Sequence, residues 1–167
     1  MKIARELLDQ IVDHARRDAP DECCGLIGGR DGRVTSVHPQ VNSVRSPLRF
    51  EMPGMDVFRT TEEIEDRGDE LLSVYHSHTR SAPYPSQTDI NFSVNWPGIE
   101  WLIVGLAGDE PEIRSYLIAD GQVREVDVEV ERALSAPAVV RATLRWNGSA
   151  PAADCRSSSR AARGRRR

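Results

Sequence analysis

Apolar residues open the chain at helical spacing: Ile3, Leu7, Leu8, Ile11, Val12 and Ala15 recur every three or four positions, and the pattern stops before Pro20. Such a stripe predicts an amphipathic opening helix. The period then changes. Cys24-Gly25-Leu26-Ile27-Gly28-Gly29 and residues 34–41 flank Asp31-Gly32, a pair that supplies the positive backbone angles of a tight hairpin turn. A thin stripe of Met55, Phe58 and Ile64 predicts a second helix over residues 54–67. Residues 71–76 read as a strand, and residues 101–106 as a buried one because their apolar run is nearly unbroken. Residues 113–119, the Asp120-Gly121 turn and residues 122–130 predict a closing hairpin, with Val126, Val128 and Val130 alternating with acids as on an edge strand. Helices and strands mix without regular βαβ alternation and without a Gly-rich phosphate loop. The expected fold class is therefore α+β, a mixed sheet flanked by helices.

A chain of 167 residues, 39% apolar and 29% charged, has the size and composition of one globular domain, and no apolar run is long enough to span a bilayer. The first residues lack the apolar stretch of a secretory signal, and three cysteines make a poor disulfide framework. Both features point to the cytoplasm. Charge divides the chain. Residues 1–131 hold 13 Lys and Arg against 25 Asp and Glu, a net of −12, whereas residues 132–167 hold 9 against 1, a net of +8. The acidic body is ill suited to nucleic acid, which clustered cations bind. Residues 132–167 are rich in Ala, Ser, Pro and Arg and lose apolar periodicity, so a mostly disordered tail is expected after a domain of residues 1–131. A docking arm for an acidic partner is the other reading of that tail.

The unusual residues concentrate in Tyr75-His76-Ser77-His78-Thr79 and Tyr84-Pro85-Ser86-Gln87-Thr88-Asp89. Histidines two apart on a strand share a face, so both imidazoles can reach one ion. Asp89, carried back across a Pro-containing turn, could complete a three-ligand set of two nitrogens and a carboxylate, which suits zinc and leaves a fourth position open. Taken singly these residues have ordinary readings. His-x-His arises by chance, and Ser86-x-x-Asp89 is also a capping-box pattern for a helix start.

Taken together, His76-x-His78, seven residues, then Ser86-x-x-Asp89 resembles the motif of the JAMM/MPN+ metallopeptidases. That family carries a glutamate upstream beside its first strand, and Pro20-Asp21-Glu22-Cys23-Cys24-Gly25-Leu26-Ile27-Gly28 matches that pattern. Ala15-Arg16-Arg17-Asp18-Ala19-Pro20-Asp21-Glu22 and Arg114-Ser115-Tyr116 resemble the small bacterial members that act on ubiquitin-like sulfur-carrier proteins. The resemblance covers roughly residues 1–130. It implies the MPN/JAMM, cytidine-deaminase-like architecture, with His76, His78 and Asp89 holding one Zn2+, Glu22 as general base and then acid, and Ser86 donating to the oxyanion. It further implies hydrolysis after the C-terminal Gly-Gly of a ubiquitin-like or sulfur-carrier protein, with release of cysteine in sulfur assimilation as one outcome. Many eukaryotic deubiquitinating members have Pro after the second His. This chain has Thr79, which argues against carrying over ubiquitin-chain specificity and leaves the metal motif whole.

The competing reading is a noncatalytic scaffold, since some members of the wider fold have lost their metal ligands; this chain keeps them. Adjacent Cys23 and Cys24 are expected on opposite faces, Cys24 in the core and Cys23 unassigned. His14 and His38 are expected at the surface, and Trp101 in the core.

Overall fold

The computed structural model describes residues 1–131. Residues 132–167, with Trp146, Cys155 and the expected disordered tail, lie outside the described residues. In chain order the elements are β1 (Lys2–Ala4), α1 (Arg5–Asp18), β2 (Cys24–Arg30), β3 (Arg33–Gln40), α2 (Gly54–Asp66), β4 (Glu70–His78), α3 (Gln87–Phe92), a 3-10 turn (Ser93–Asn95), β5 (Glu100–Gly105), β6 (Glu112–Ala119), β7 (Gln122–Val126) and β8 (Glu129–Glu131). The strands form one mixed sheet in the order β7-β6-β5-β4-β2-β3-β1-β8. Its centre pairs β4 antiparallel with β2 and parallel with β5. The α+β class and the mixed sheet expected from the sequence are both present. No helix among the described residues is long and apolar enough to cross a membrane.

Both hairpins turn where expected, because Asp31-Gly32 and Asp120-Gly121 each place two successive residues at positive φ, 51° and 73° in both pairs. That is the backbone a two-residue turn needs to match strand twist. Two expectations are corrected at the chain ends. Ile3 belongs to β1 rather than to the opening helix, because Lys2, Ile3 and Ala4 pair in parallel with Glu129, Val130 and Glu131. Ladder bonds to a distant strand override the local helical spacing, and Ile3 still joins Leu8 and Ile11 in the core. The last strand is also broken. β7 stays on β6, whereas β8 crosses to the opposite edge of the sheet beside β1, where Val128 and Val130 pack against the α1 cluster.

Strand alternation sorts the core onto two faces. On one, α1 packs Leu8, Ile11, Val12 and Ala15 against Ile27, Tyr75, Leu102 and Val104. On the other, Leu26, Ile64 and Val74 form one cluster under α2, and Trp101, Ile103, Tyr116 and Ile118 form a second, with Phe50 and Trp96 packed against both. His76 and His78 fall on this second face, in step with Val74.

Candidate metal centre

The site is built at the C-terminal end of β4, where an apolar strand emerges from the middle of the sheet. His76 pairs with Cys24 on one side and Ile103 on the other, and His78 with Gly105. Neighbouring strands therefore fix both backbones. The intervening Ser77 is fully buried and locks β4 to the start of β2: its hydroxyl accepts from the Cys23 amide at 2.9 Å, and its amide donates to the Cys23 carbonyl at 3.2 Å.

Asp89 reaches the histidines from α3. Ser86 caps that helix, accepting from the Asp89 amide at 3.2 Å, while the Ser86 amide and hydroxyl donate to Asp89 Oδ2 at 2.7 and 2.6 Å. The capping box is thus present, and it also aims the carboxylate. Asp89 Oδ2 lies 3.6 Å from His76 Nε2 and 3.9 Å from His78 Nε2, and the two Nε2 atoms are 3.1 Å apart.

These separations, from 3.1 to 3.9 Å, bracket those of a metal centre. Tetrahedral zinc with bonds of roughly 2.0–2.2 Å spaces its ligand atoms about 3.3–3.6 Å apart. The donor types agree, two imidazole nitrogens and one carboxylate oxygen. The tautomer of His78 agrees as well. Its Nδ1 lies 2.9 Å from the Ala82 carbonyl, which can only accept, so Nδ1 carries the proton and Nε2 offers its lone pair. His76 is completely buried although its Nδ1 has no hydrogen-bond partner among the described residues, a cost that hydrogen bonding at that atom does not offset. Its other nitrogen, Nε2, faces His78 and Asp89 in the cluster.

Electrostatics keep the cluster ready for a cation. Burial opposes ionisation of Asp89, but contacts with His76, His78 and Ser86 outweigh it and hold the carboxyl well below the usual range. Burial holds the His76 imidazole neutral despite Asp89. For His78 burial acts in the same direction, and Asp89, the Ala82 carbonyl and Glu22 together reverse it, raising its pKa.

Glu22 lies just before β2, is 5% exposed, and lines a cavity of about 390 Å³ with His78, Ser86 and Asp89. Burial pushes its carboxyl up to about 7, with His78 opposing and Asp89 adding to the rise. A carboxyl near neutrality can both take and return a proton at ordinary pH. Thr79, the residue that departs from the eukaryotic pattern, donates to the Pro20 carbonyl at 3.0 Å and ties the end of β4 to the segment carrying Glu22. Glu22, His76, His78, Ser86 and Asp89, the residues expected to form the site, therefore lie at this one place.

Three other residues reach the site: Phe50 and Asn42, without a role assigned from sequence, and Trp101, expected in the core. Phe50 stacks on the His76 ring, centroids 4.7 Å apart at 28°. Trp101, expected in the core and fully buried, also lines the cavity and meets His76 edge-on. Asn42, buried, bonds the Glu22 carbonyl. The available signal was the length of the connection between β3 and α2, since long irregular segments in compact domains tend to be functional.

The remaining candidates lie elsewhere. His38 is half-buried beside Ser36. His14 is buried rather than at the surface, because the Tyr75 hydroxyl and the Asp18 carboxylate satisfy its two nitrogens at 2.7 and 3.1 Å. Cys23 and Cys24 are both buried free thiols, each pushed up to about 12 by burial, which leaves them inert as nucleophiles.

Comparison with known proteins agrees with this geometry. The family of prokaryotic homologs of the JAB domain matches residues 4–119. The CysO-cysteine peptidase of Mycobacterium tuberculosis is 35% identical over 131 residues, 77% of this chain and 89% of the relative. A desampylase of Haloferax volcanii is 34% identical over 138 residues, covering 78% and 96%. Among solved structures, a Desulfitobacterium hafniense protein superposes with a TM-score of 0.70 at 30% identity, covering 81% of this chain and 96% of that one. A JAB1/MPN domain protein from Archaeoglobus fulgidus gives 0.54 at 25% identity, covering 78% and 98%. Since the family match spans most of the described chain and the curated relatives align along nearly all of their own length, this protein belongs to the prokaryotic JAB (JAMM/MPN+) family of hydrolases.

Proposed function

We propose that the protein is a zinc-dependent peptidase that hydrolyses the bond following the C-terminal Gly-Gly of a ubiquitin-like or sulfur-carrier protein. The observation that carries this reading is the convergence of His76 Nε2, His78 Nε2 and Asp89 Oδ2 in a cavity that Glu22 also lines. The names of the relatives supply the substrate class: one acts on CysO-cysteine, and another, from Thermus thermophilus and 32% identical, is described as a probable TtuB-protein conjugate cleaving protease. The likeness to the first makes cysteine the leaving group we favour.

In this scheme His76, His78 and Asp89 hold the ion, which supplies Lewis acidity to the reacting water and carbonyl when bound. Glu22 takes a proton from the attacking water onto its carboxylate and returns it to the departing amine. Ser86, beside the metal cluster, donates a hydrogen bond from its hydroxyl to the developing oxyanion, a contribution of about 3–4 kcal/mol for one such donor. That role requires the hydroxyl to leave Asp89 Oδ2. Leu48, Phe50, Met52, Phe92 and Trp101 give the cavity an apolar wall.

We place the working unit in residues 1–131 and the protein in the cytoplasm, a setting that agrees with two free thiols at Cys23 and Cys24. Mass spectrometry of a carrier protein ending Gly-Gly-Cys tests the function: incubation with the zinc-loaded enzyme should remove one cysteine and stop at Gly-Gly. An unchanged mass across ubiquitin-like carriers bearing amino-acid or isopeptide-linked extensions contradicts it. A chain ending at Glu131 should cleave as fast as the full chain.

A further inference from the structure

The connection between β3 and α2 is organised around one side chain. Asn42 is 6% exposed. Its Nδ2 donates to the carbonyls of Glu22 at 2.9 Å and Arg49 at 3.2 Å. Its Oδ1 accepts from the amides of Val44 at 3.2 Å and Glu51 at 3.1 Å. Two carbonyls facing the nitrogen and two amides facing the oxygen use the four hydrogen-bonding positions of the amide and fix its orientation. The other backbone group of Glu22 is held by the same loop, since its amide donates to the Ser46 carbonyl at 2.9 Å. Beyond this anchor the loop supplies Leu48, Arg49, Phe50, Glu51 and Met52 to the cavity wall.

We propose that Asn42 is a positioning residue for Glu22: it clamps the loop of residues 42–51 to the backbone of Glu22, so that the cavity wall and the carboxyl move as one unit. The consequence is linkage. A substrate chain pressed against residues 48–52 is felt at Glu22 through two hydrogen bonds to its backbone, one from the Asn42 side chain and one to the Ser46 carbonyl, and a loop displaced from its anchor carries Glu22 away from the reacting water. Misplacement of a reacting group by about 1 Å is enough to cost on the order of 100-fold in rate. The inference rests on the reading of Glu22 as the proton-transfer group, and its first test needs no substrate.

That test is amide hydrogen exchange by NMR on the full zinc-loaded chain. In Asn42→Ala the amides of Glu22, Val44 and Glu51 should exchange about tenfold faster together, the effect of one lost net hydrogen bond, while Leu102 and Ile103 keep their protection. Unchanged protection at Glu22 alongside faster exchange at Val44 and Glu51 overturns the coupling. Asn42→Asp, whose Oδ1 can keep both accepted bonds while its second oxygen cannot donate to the Glu22 and Arg49 carbonyls, serves the same comparison if the alanine variant does not fold. The kinetic arm uses a carrier ending Gly-Gly-Cys. Asn42→Asp should lower kcat by about 10- to 100-fold with KM and zinc content near those of the parent, and should add nothing in a Glu22→Gln background. An additive loss in that background, or a rise in KM with kcat intact, makes Asn42 a general packing or binding residue and overturns the proposal. A parent chain that leaves Gly-Gly-Cys uncut contradicts the functional reading alone, because the exchange comparison still decides the coupling.

Discussion

Gly25 and Tyr75 are register partners across β2 and β4, and the Tyr75 ring occupies the space that any side chain on Gly25 would need. The tyrosine precedes His76, so the site depends on a glycine on the neighbouring strand. Gly25→Ala must push the buried ring or spread the strands. Overpacking of this kind costs about 1–3 kcal/mol, and urea unfolding should show a lower midpoint. An unchanged midpoint would mean that the ring has room to move.

Tyr75 also anchors the only helix–sheet polar relay seen among the described residues between α1 and β4. An ionised Asp18 only accepts, so His14 Nε2 carries the proton and Nδ1 accepts from the Tyr75 hydroxyl. Tyr75→Phe leaves that buried nitrogen unpaired and should cost about 1–3 kcal/mol. Burial, partly offset by Asp18, lowers the His14 pKa below 6.5. The unfolded chain then binds the proton more readily, so the stability that His14 contributes is intact above pH 6.5 and lost as pH falls below it. His14→Gln should show a shallower decline of stability in acid than the parent in thermal melts. An equal or steeper decline would place the acid sensitivity elsewhere.

Glu22→Gln separates stability from turnover. An acid whose folded pKa rises from 4.5 to about 7 takes up a proton on folding, so its contribution to stability, complete below pH 4.5, is lost as pH rises to 7. Glutamine carries no charge at any of these pH values. With zinc removed by chelator, the variant should therefore be more stable than the parent at pH 8, by on the order of 2 kcal/mol, and closer to it at pH 5. With zinc restored, turnover should fall by about 10²–10⁴-fold while the metal stays bound. A variant that melts below the parent at pH 8 would contradict the raised pKa of Glu22, and one that keeps near-full activity would remove Glu22 from proton transfer.

Local pattern was enough to read much of this molecule, and its failures share a cause. Both Asp-Gly turns, α2 and the buried β5 follow from short-range periodicity and turn chemistry. Strand alternation puts His76 and His78 on one face, but it is the resemblance of the whole spacing to the JAMM/MPN+ motif that makes Glu22, Ser86 and Asp89 legible as site residues. Ile3, by contrast, spells helix locally and is drawn into a strand by Val130, a partner from the far end of the domain. His14 looked like a surface residue because Tyr75, which buries it, is remote in sequence. Asn42 was illegible for the same reason: its bonds run to Glu22 and across an irregular loop that carries no period.

Every catalytic role assigned above depends on His76, His78 and Asp89 holding one zinc ion together. Metal analysis of the purified full chain, beside His78→Ala and Asp89→Asn, measures this directly. One zinc per chain in the parent and far less than one in either variant is the predicted result. A parent that takes up no zinc, or variants that retain a full equivalent, would contradict it.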